Sequence, residues 1–99
     1  MPSDTTPAPA LKPSRTTIEQ AIEQLVAERG AGKTICPSEV ARELGGSDEK
    51  VWRLLMKPIR AAAVAMAQEG RVAIRRKGKI VDPGDFRGVY RIGPAGEAD

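Results

Sequence analysis

From Val51 onward, apolar side chains fall at Val51, Leu55, Ile59, Ala62 and Met66, spacings of four, four, three and four. That is one continuous stripe along a helix. It stops at Gly70, and the pattern then changes period: in Arg71–Arg76, RVAIRR, Val72 and Ile74 alternate with Ala73 and Arg75. A helical stripe that passes through one glycine into an alternating strand must be closed by other helices on one side and by a returning strand on the other. The spacing predicts a helix over 48–69, with Val72 and Ile74 facing its core and Ala73 and Arg75 facing outward. Pro58 interrupts the helix, because it has no N–H for the carbonyl of Leu54 and its ring crowds that turn. One kinked helix over 48–69 and two helices breaking near Met56–Lys57 both fit the sequence, the unbroken stripe favouring the former.

The preceding residues supply the partners. Thr17–Arg29 carries Ile18, Ala21, Ile22, Leu25 and Val26 at helical spacing, and Gly30 is its expected stop. Ile35 is expected in a very short strand. Pro37–Leu44, PSEVAREL, starts with a proline suited to a first helical position and carries Glu39 near the positive end of the helix dipole. Its expected buried side is Val40, Ala41 and Leu44. Gly45-Gly46 ends it, and Ser47 is the expected N-cap of the next helix. Beyond Arg76, Lys77-Gly78-Lys79 is read as a turn and Ile80-Val81 as the return strand of a short hairpin. Asp82-Pro83-Gly84-Asp85 is a second turn, Phe86 is expected to plug the hairpin against the helices, and Val89–Ile92 is expected to form a final edge strand.

The order is helix, short strand, helix, turn, longer helix, basic hairpin. It predicts an α+β, mostly α, winged helix-turn-helix of three helices with a C-terminal β-hairpin wing. Residues 1–16 hold four prolines and almost nothing to pack, so they are read as a disordered N-terminal tail; 17–92 is the domain and 93–99 a flexible C-terminal tail. A foldable part of about 83 residues buries about 60–68% of its unfolded surface, enough for one modest core.

Composition removes whole classes of chemistry. The chain has no histidine and one cysteine, so a Ser–His–Asp triad, Cys–His catalysis, a Cys/His zinc site and a disulfide framework are all excluded within one chain. No enzyme activity, metal or cofactor is expected. Cys36 is read as a small packing residue rather than a reactive thiol. Asp82 and Asp85 are read as turn chemistry rather than a catalytic pair, with Arg87, Arg91 or Arg60 as ion partners that would fix the wing. No apolar run is long enough to span a membrane. The opening PSDTTPAPA has no basic segment before an apolar core, so no signal peptide is expected and a cytoplasmic location is.

The net charge of +3 conceals a partition. Residues 53–79 hold eight basic groups and one acidic group, net +7, while 37–52 and 80–99 are each net −2. Lys50, Arg53, Lys57 and Arg60 recur every three or four residues along the third helix. Arg71, Arg75, Arg76, Lys77 and Lys79 crowd the hairpin. A basic helical stripe suits the major groove or the phosphates beside it, and a basic hairpin suits the flanking backbone. The candidate nucleic-acid residues are therefore Lys50, Arg53, Lys57, Arg60, Arg75, Arg76, Lys77 and Lys79, and duplex DNA is the expected partner. Each feature has an ordinary counterpart: a solvated helix face is charged, and edge strands carry lysine to resist association. The competing function is a protein-interaction or structural module, with Trp52 or the alanine-rich 61–67 face as its contact or self-association surface. Tyr90 is read as a satisfied edge packer.

Three segments, CPSEVAREL, WRLLMKPIRAAA and GRVAIRRKGKIVDPGDFRGVYRI, resemble a small bacterial winged-helix family of unknown function. The resemblance covers about 35–92 and extends loosely back to residue 17. Val89 stands where that pattern suggests proline, which would allow a more regular last strand. Arg75 stands where threonine is common, which adds charge to the wing. The resemblance implies a fold and carries no function.

Overall fold

A computed structural model describes residues 13–95. Helix α1 spans Arg15–Arg29. It starts two residues before Thr17 because Ser14 is the cap: its Oγ accepts from the Thr17 N–H at 3.1 Å. Ile18, Ile22 and Val26 are its buried side, and Gly30, at φ 103°, ends it. Helix α2 spans Pro37–Gly45, with Cys36 as N-cap and Pro37 at the first position. The Glu39 carboxylate reaches back to the Cys36 N–H at 3.1 Å and also pairs with Arg29. Burial would raise the Glu39 carboxyl, but the hydrogen bonds from Arg29 and the Cys36 amide outweigh it and hold the group below its usual range. Val40 and Ala41 are buried as expected, while Leu44 is half-buried.

The third helical stretch is divided. Asp48, not Ser47, caps it, accepting from the Lys50 N–H at 3.0 Å. Helix α3 is Glu49–Trp52, a 3₁₀ turn occupies Arg53–Leu55, and α4 runs Met56–Gln68. The backbone stays in the right-handed helical region from Trp52 to Met56, so the path continues while its hydrogen bonding tightens. Pro58 thereby falls in the first turn of α4, where a missing N–H leaves no carbonyl of that helix unpaired. The turn also rotates what precedes it. A 3₁₀ residue advances about 120° against about 100° for an α residue, so residues three apart eclipse. Trp52 comes into line with Leu55, and Val51 leaves the stripe. Trp52 packs half-buried against the core and Val51 is 46% exposed, whereas Leu55, Ile59, Ala62 and Met66 are buried.

Three antiparallel strands complete the domain: β1 (Val72–Arg76), β2 (Lys79–Ile80) and β3 (Arg91–Pro94), in the order β2-β1-β3. Ile35 adds a single bridge to Ile92 on the far side of β3. The helices and this sheet form a winged-helix arrangement, with residues 77–90 as the wing between β1 and β3. Lys77 and Gly78 are the two central residues of the hairpin turn, with φ of 53° and 82°, and Lys79 belongs to the strand. Two positive φ values are what a type I′ turn requires.

Several expectations change here. The main partner of β1 is β3, and β2 is a two-residue extension inside the wing. Val89 is not in the last strand but 81% exposed beside it, because the wing does not straighten until Arg91. Gly93 and Pro94 belong to β3 rather than to a C-terminal tail, since Gly93 pairs with Ala73 and is buried. Ala73 is buried too, on the face expected to be solvated. Its partner Gly93 meets Thr34 Cγ2 and the Lys33 carbonyl on that face, and the small pair is covered by them. The rest of the expected tails, 1–12 and 96–99, lies outside the described residues.

Two positions give measurable consequences. A Cβ on Gly45 would come within 3.1 Å of both Trp52 Cα and Leu55 Cδ1. Alanine is the better helix former by about 1 kcal/mol, yet one of the two contacts is the Trp52 backbone, which yields less readily than the end of a flexible side chain. Gly45→Ala is expected to lower stability by about 1–2 kcal/mol in urea unfolding.

Tyr90 is 7% exposed, and its hydroxyl has no hydrogen-bond partner among the described residues, so it is a packer without being satisfied. Burial pushes the phenol up from 10 to about 12, with Arg60 opposing. The sign follows: the unfolded chain ionises near 10 and the folded one near 12, so this stability is complete below 10 and lost as pH rises between them. Tyr90 is the only tyrosine, so phenolate absorbance reports it alone. Tyr90→Phe should remove that alkaline loss and raise stability by about 1 kcal/mol.

Candidate nucleic-acid interface

The eight cations singled out in the sequence separate into two kinds. Lys50, Arg53 and Lys57 are exposed along α3 and the start of α4. Arg53 lies 3.6 Å from Glu49 one turn earlier, an ion pair open to water on both sides and therefore weak. Exposed Leu54, at 74%, and Val51 stand among them. Lys77 and Lys79 are exposed at the wing tip.

Arg60, Arg75 and Arg76 are placed otherwise. The Arg60 guanidinium lies 4.2 Å from the centre of the Phe86 ring and donates to the Phe86 carbonyl at 3.1 Å. Phe86 itself is buried in the core cluster and stacks at 60° on Tyr90, ring centres 5.3 Å apart. Arg76 donates through Nε to the Val89 carbonyl at 2.8 Å. These two arginines therefore hold Phe86 and Val89, three residues apart in the returning part of the wing, to the body, where the carboxylates of Asp82 and Asp85 were expected to act. Asp82 instead accepts from the Gly84 N–H at 2.9 Å, and its carbonyl accepts from Asp85 at 3.0 Å, the self-capping turn foreseen from the sequence. Arg75 stands on the face of the sheet turned away from the helices.

Arg71 leaves the basic cluster altogether. It contacts Glu23 at 2.8 Å, Glu19 at 2.9 Å and Glu69 at 3.1 Å, tying α1 to the start of β1. Those carboxylates raise its pKa further. Two of the three partners lie far upstream in the chain, so no local pattern announces them. Among the described residues, the positive surface is thus narrower than the composition of 53–79 suggests.

At the wing tip the cations are not compensated. Arg76 and Lys79 stand directly opposite each other on β1 and β2. Like charges in that position oppose pairing by about 0.2–1 kcal/mol. Lys77 occupies a left-handed conformation that asparagine or glycine adopts more readily. Among the described residues none of Lys77, Lys79 and Arg76 has a carboxylate within ion-pair distance.

The surfaces proposed for protein contact are partly used inside the domain. Trp52 packs against the core, with Arg42 over its ring at 5.4 Å. Ala62, Ala63 and Met66 are buried. Ala61, Val64 and Ala65 floor an open groove of about 560 Å³ edged by Lys57, Arg60, Gln68 and Pro83-Gly84. Cys36 is half-buried with Sγ 3.1 Å from Ser38 Oγ. Among the described residues no three His, Cys, Asp or Glu side chains gather as a metal site, and no helix is long and apolar enough to cross a membrane.

The Arg60 clamp is testable. Arg60→Met keeps the bulk but leaves the Phe86 carbonyl without its donor and removes the cation over the ring. It should cost about 1–3 kcal/mol and speed amide exchange across 84–90 while leaving α1 protected. In comparison with known proteins, residues 15–95 match the family described as "Protein of unknown function (DUF3253)". No curated protein matches the chain.

Proposed function

The chain belongs to this DUF3253 family, whose description assigns no activity, and from its surface we propose that it is a weakly specific DNA-binding winged-helix domain, acting by binding alone and suited to transcriptional regulation. Lys50, Arg53 and Lys57 on the exposed side of α3 and α4 contact the major groove or its phosphates, and Lys77 and Lys79 hold the flanking backbone. Leu54 and Val51 offer apolar contact of the kind that meets a thymine methyl. Arg60 and Arg76 serve indirectly by setting the wing.

The observation that carries this reading is the uncompensated wing tip. Protection of an exposed edge accounts for Lys79 on β2. The Val89 bond accounts for Arg76 on the central strand, but neither accounts for setting Lys79 directly opposite it, nor for a lysine in the left-handed turn position. Both features oppose folding in the free protein, and a polyanion relieves the first. A protein-contact reading is favoured by one specific feature, exposed Leu54, three residues before Lys57 at the edge of the apolar groove.

Anisotropy titration of a fluorescent duplex at two salt concentrations separates them. Binding should be measurable at low salt and weaken as salt rises, each phosphate contact contributing about 0.9 to the log–log slope. Replacing Lys77 and Lys79 by Gln should lower that slope by about 2. Lys77→Asn alone should raise stability by about 0.5–1 kcal/mol while weakening binding. Absence of low-salt binding, or binding indifferent to salt, refutes the proposal and leaves protein contact through Leu54.

A further inference from the structure

The sheet has a second basic surface, on the side opposite its core residues. Register places Arg75 of β1 directly across from Arg91 of β3, with Ile80 of β2 on its other side. Opposed residues share a face. Ile80, Arg75 and Arg91 therefore form a row across the outer face, and the small Ala73–Gly93 pair lies on that face beside them. Val72, Ile74 and Ile92 take the other face, in the core.

Two guanidinium groups side by side on adjacent strands oppose each other unless an anion lies between them. Among the described residues the Arg75 side chain has no hydrogen bond or ion pair. It lies over Gly93, its Nε 3.4 Å from where a Cβ would stand, and Thr34 Cγ2 and the Lys33 carbonyl border the same point. Arg91 is held by Thr34, through Nε to Oγ1 at 2.7 Å and Nη2 to the carbonyl at 3.2 Å. Arg29 donates to that same carbonyl at 2.9 Å. Arg29 and Arg91 thus bond to Thr34, Arg75 lies beside it over Gly93, and exposed Lys33 precedes it in the chain. The nearby carboxylate, Glu39, has one oxygen on Arg29 and the other on the Cys36 N–H. Among the described residues none of Arg75, Arg91 and Lys33 has a carboxylate within ion-pair distance.

We propose that this outer face is a second phosphate-binding surface for duplex DNA, formed by Arg75 and Arg91 with Lys33 beside them. The proposal rests on the nucleic-acid reading above and extends it to a face that the helices cannot reach. Arg75 has its guanidinium donors unengaged and exposed Arg91 keeps Nη1 free, planar donors of the kind that suits a phosphate, beside an Ala73–Gly93 pair that Thr34 and Lys33 cover. The domain then has two phosphate surfaces with the sheet between them, so it can bridge two duplexes or engage one that bends around it.

Titration of the isotope-labelled full chain with a short duplex, followed by amide and arginine Nε–H resonances, tests this. Shifts are expected at Thr34, Ala73, Gly93 and the Nε–H groups of Arg75 and Arg91, in addition to those at 50–57 and 77–79. Shifts confined to 50–57 and 77–79 overturn the second surface and leave the first reading standing. Shifts confined to 34, 73 and 93 do the reverse, and an unchanged spectrum removes both. Arg75→Gln combined with Lys33→Gln should lower the log–log salt slope by about 2, with the melting temperature unchanged or raised as the arginine pair is relieved. An unaltered slope in that double variant overturns the proposal.

Discussion

Pro58 has no N–H for the carbonyl of Leu54, and the winged-helix body is organised around that missing bond. It fixes where the third helical stretch must change its hydrogen bonding, and the 3₁₀ turn at Arg53–Leu55 is the result. The turn eclipses Trp52 with Leu55 and turns Val51 and Leu54 outward. Trp52 then settles against Gly45, where a Cβ would crowd the Trp52 backbone, and this sets how α2 meets α3. An unbroken α-helix would have buried Val51 and left the tryptophan outside. The same local event thus shapes both the core and the exposed face to which a nucleic-acid role is assigned.

The wing depends on a different device. A basic segment of this kind would usually be steadied by carboxylates, and Asp82 and Asp85 are close at hand in sequence. The fold uses carbonyl groups instead: Arg60 on Phe86 and Arg76 on Val89. Charge-assisted bonds of this type keep the guanidinium positive, so the wing is ordered without neutralising the domain. Arg71, by contrast, is enclosed by three carboxylates and contributes cohesion between α1 and β1 rather than field.

Helix positions and the core were readable because period carries them. Ile18, Ile22, Val40, Leu55, Ile59 and Met66 fall on stripes that survive almost unaltered, and Pro37 and Gly30 mark ends through their own backbone chemistry. What could not be read depends on relations between distant segments. The pairing of β1 with β3 rather than chiefly with β2 is decided by docking on the helices. The partners of Arg71 lie on α1. Burial of Ala73 follows from loop 33–34 covering a pair of small residues. Charge was the least legible property for the same reason: sequence shows how many cations a segment holds, not which of them the fold engages.

The nested position of β2 has one more consequence. Register between β1 and β3 is set by residues 72–75 against 91–94, and Phe86 and Tyr90 anchor the returning part of the wing in the core; the Lys77-Gly78 tip lies beyond both. Length can therefore be added or removed at the Lys77-Gly78 tip without shifting a core residue, and doubling such a loop adds only about 0.6 kcal/mol of closure entropy. The architecture separates reach from stability, so a chain of this design can diversify its wing while its helical layer stays unchanged.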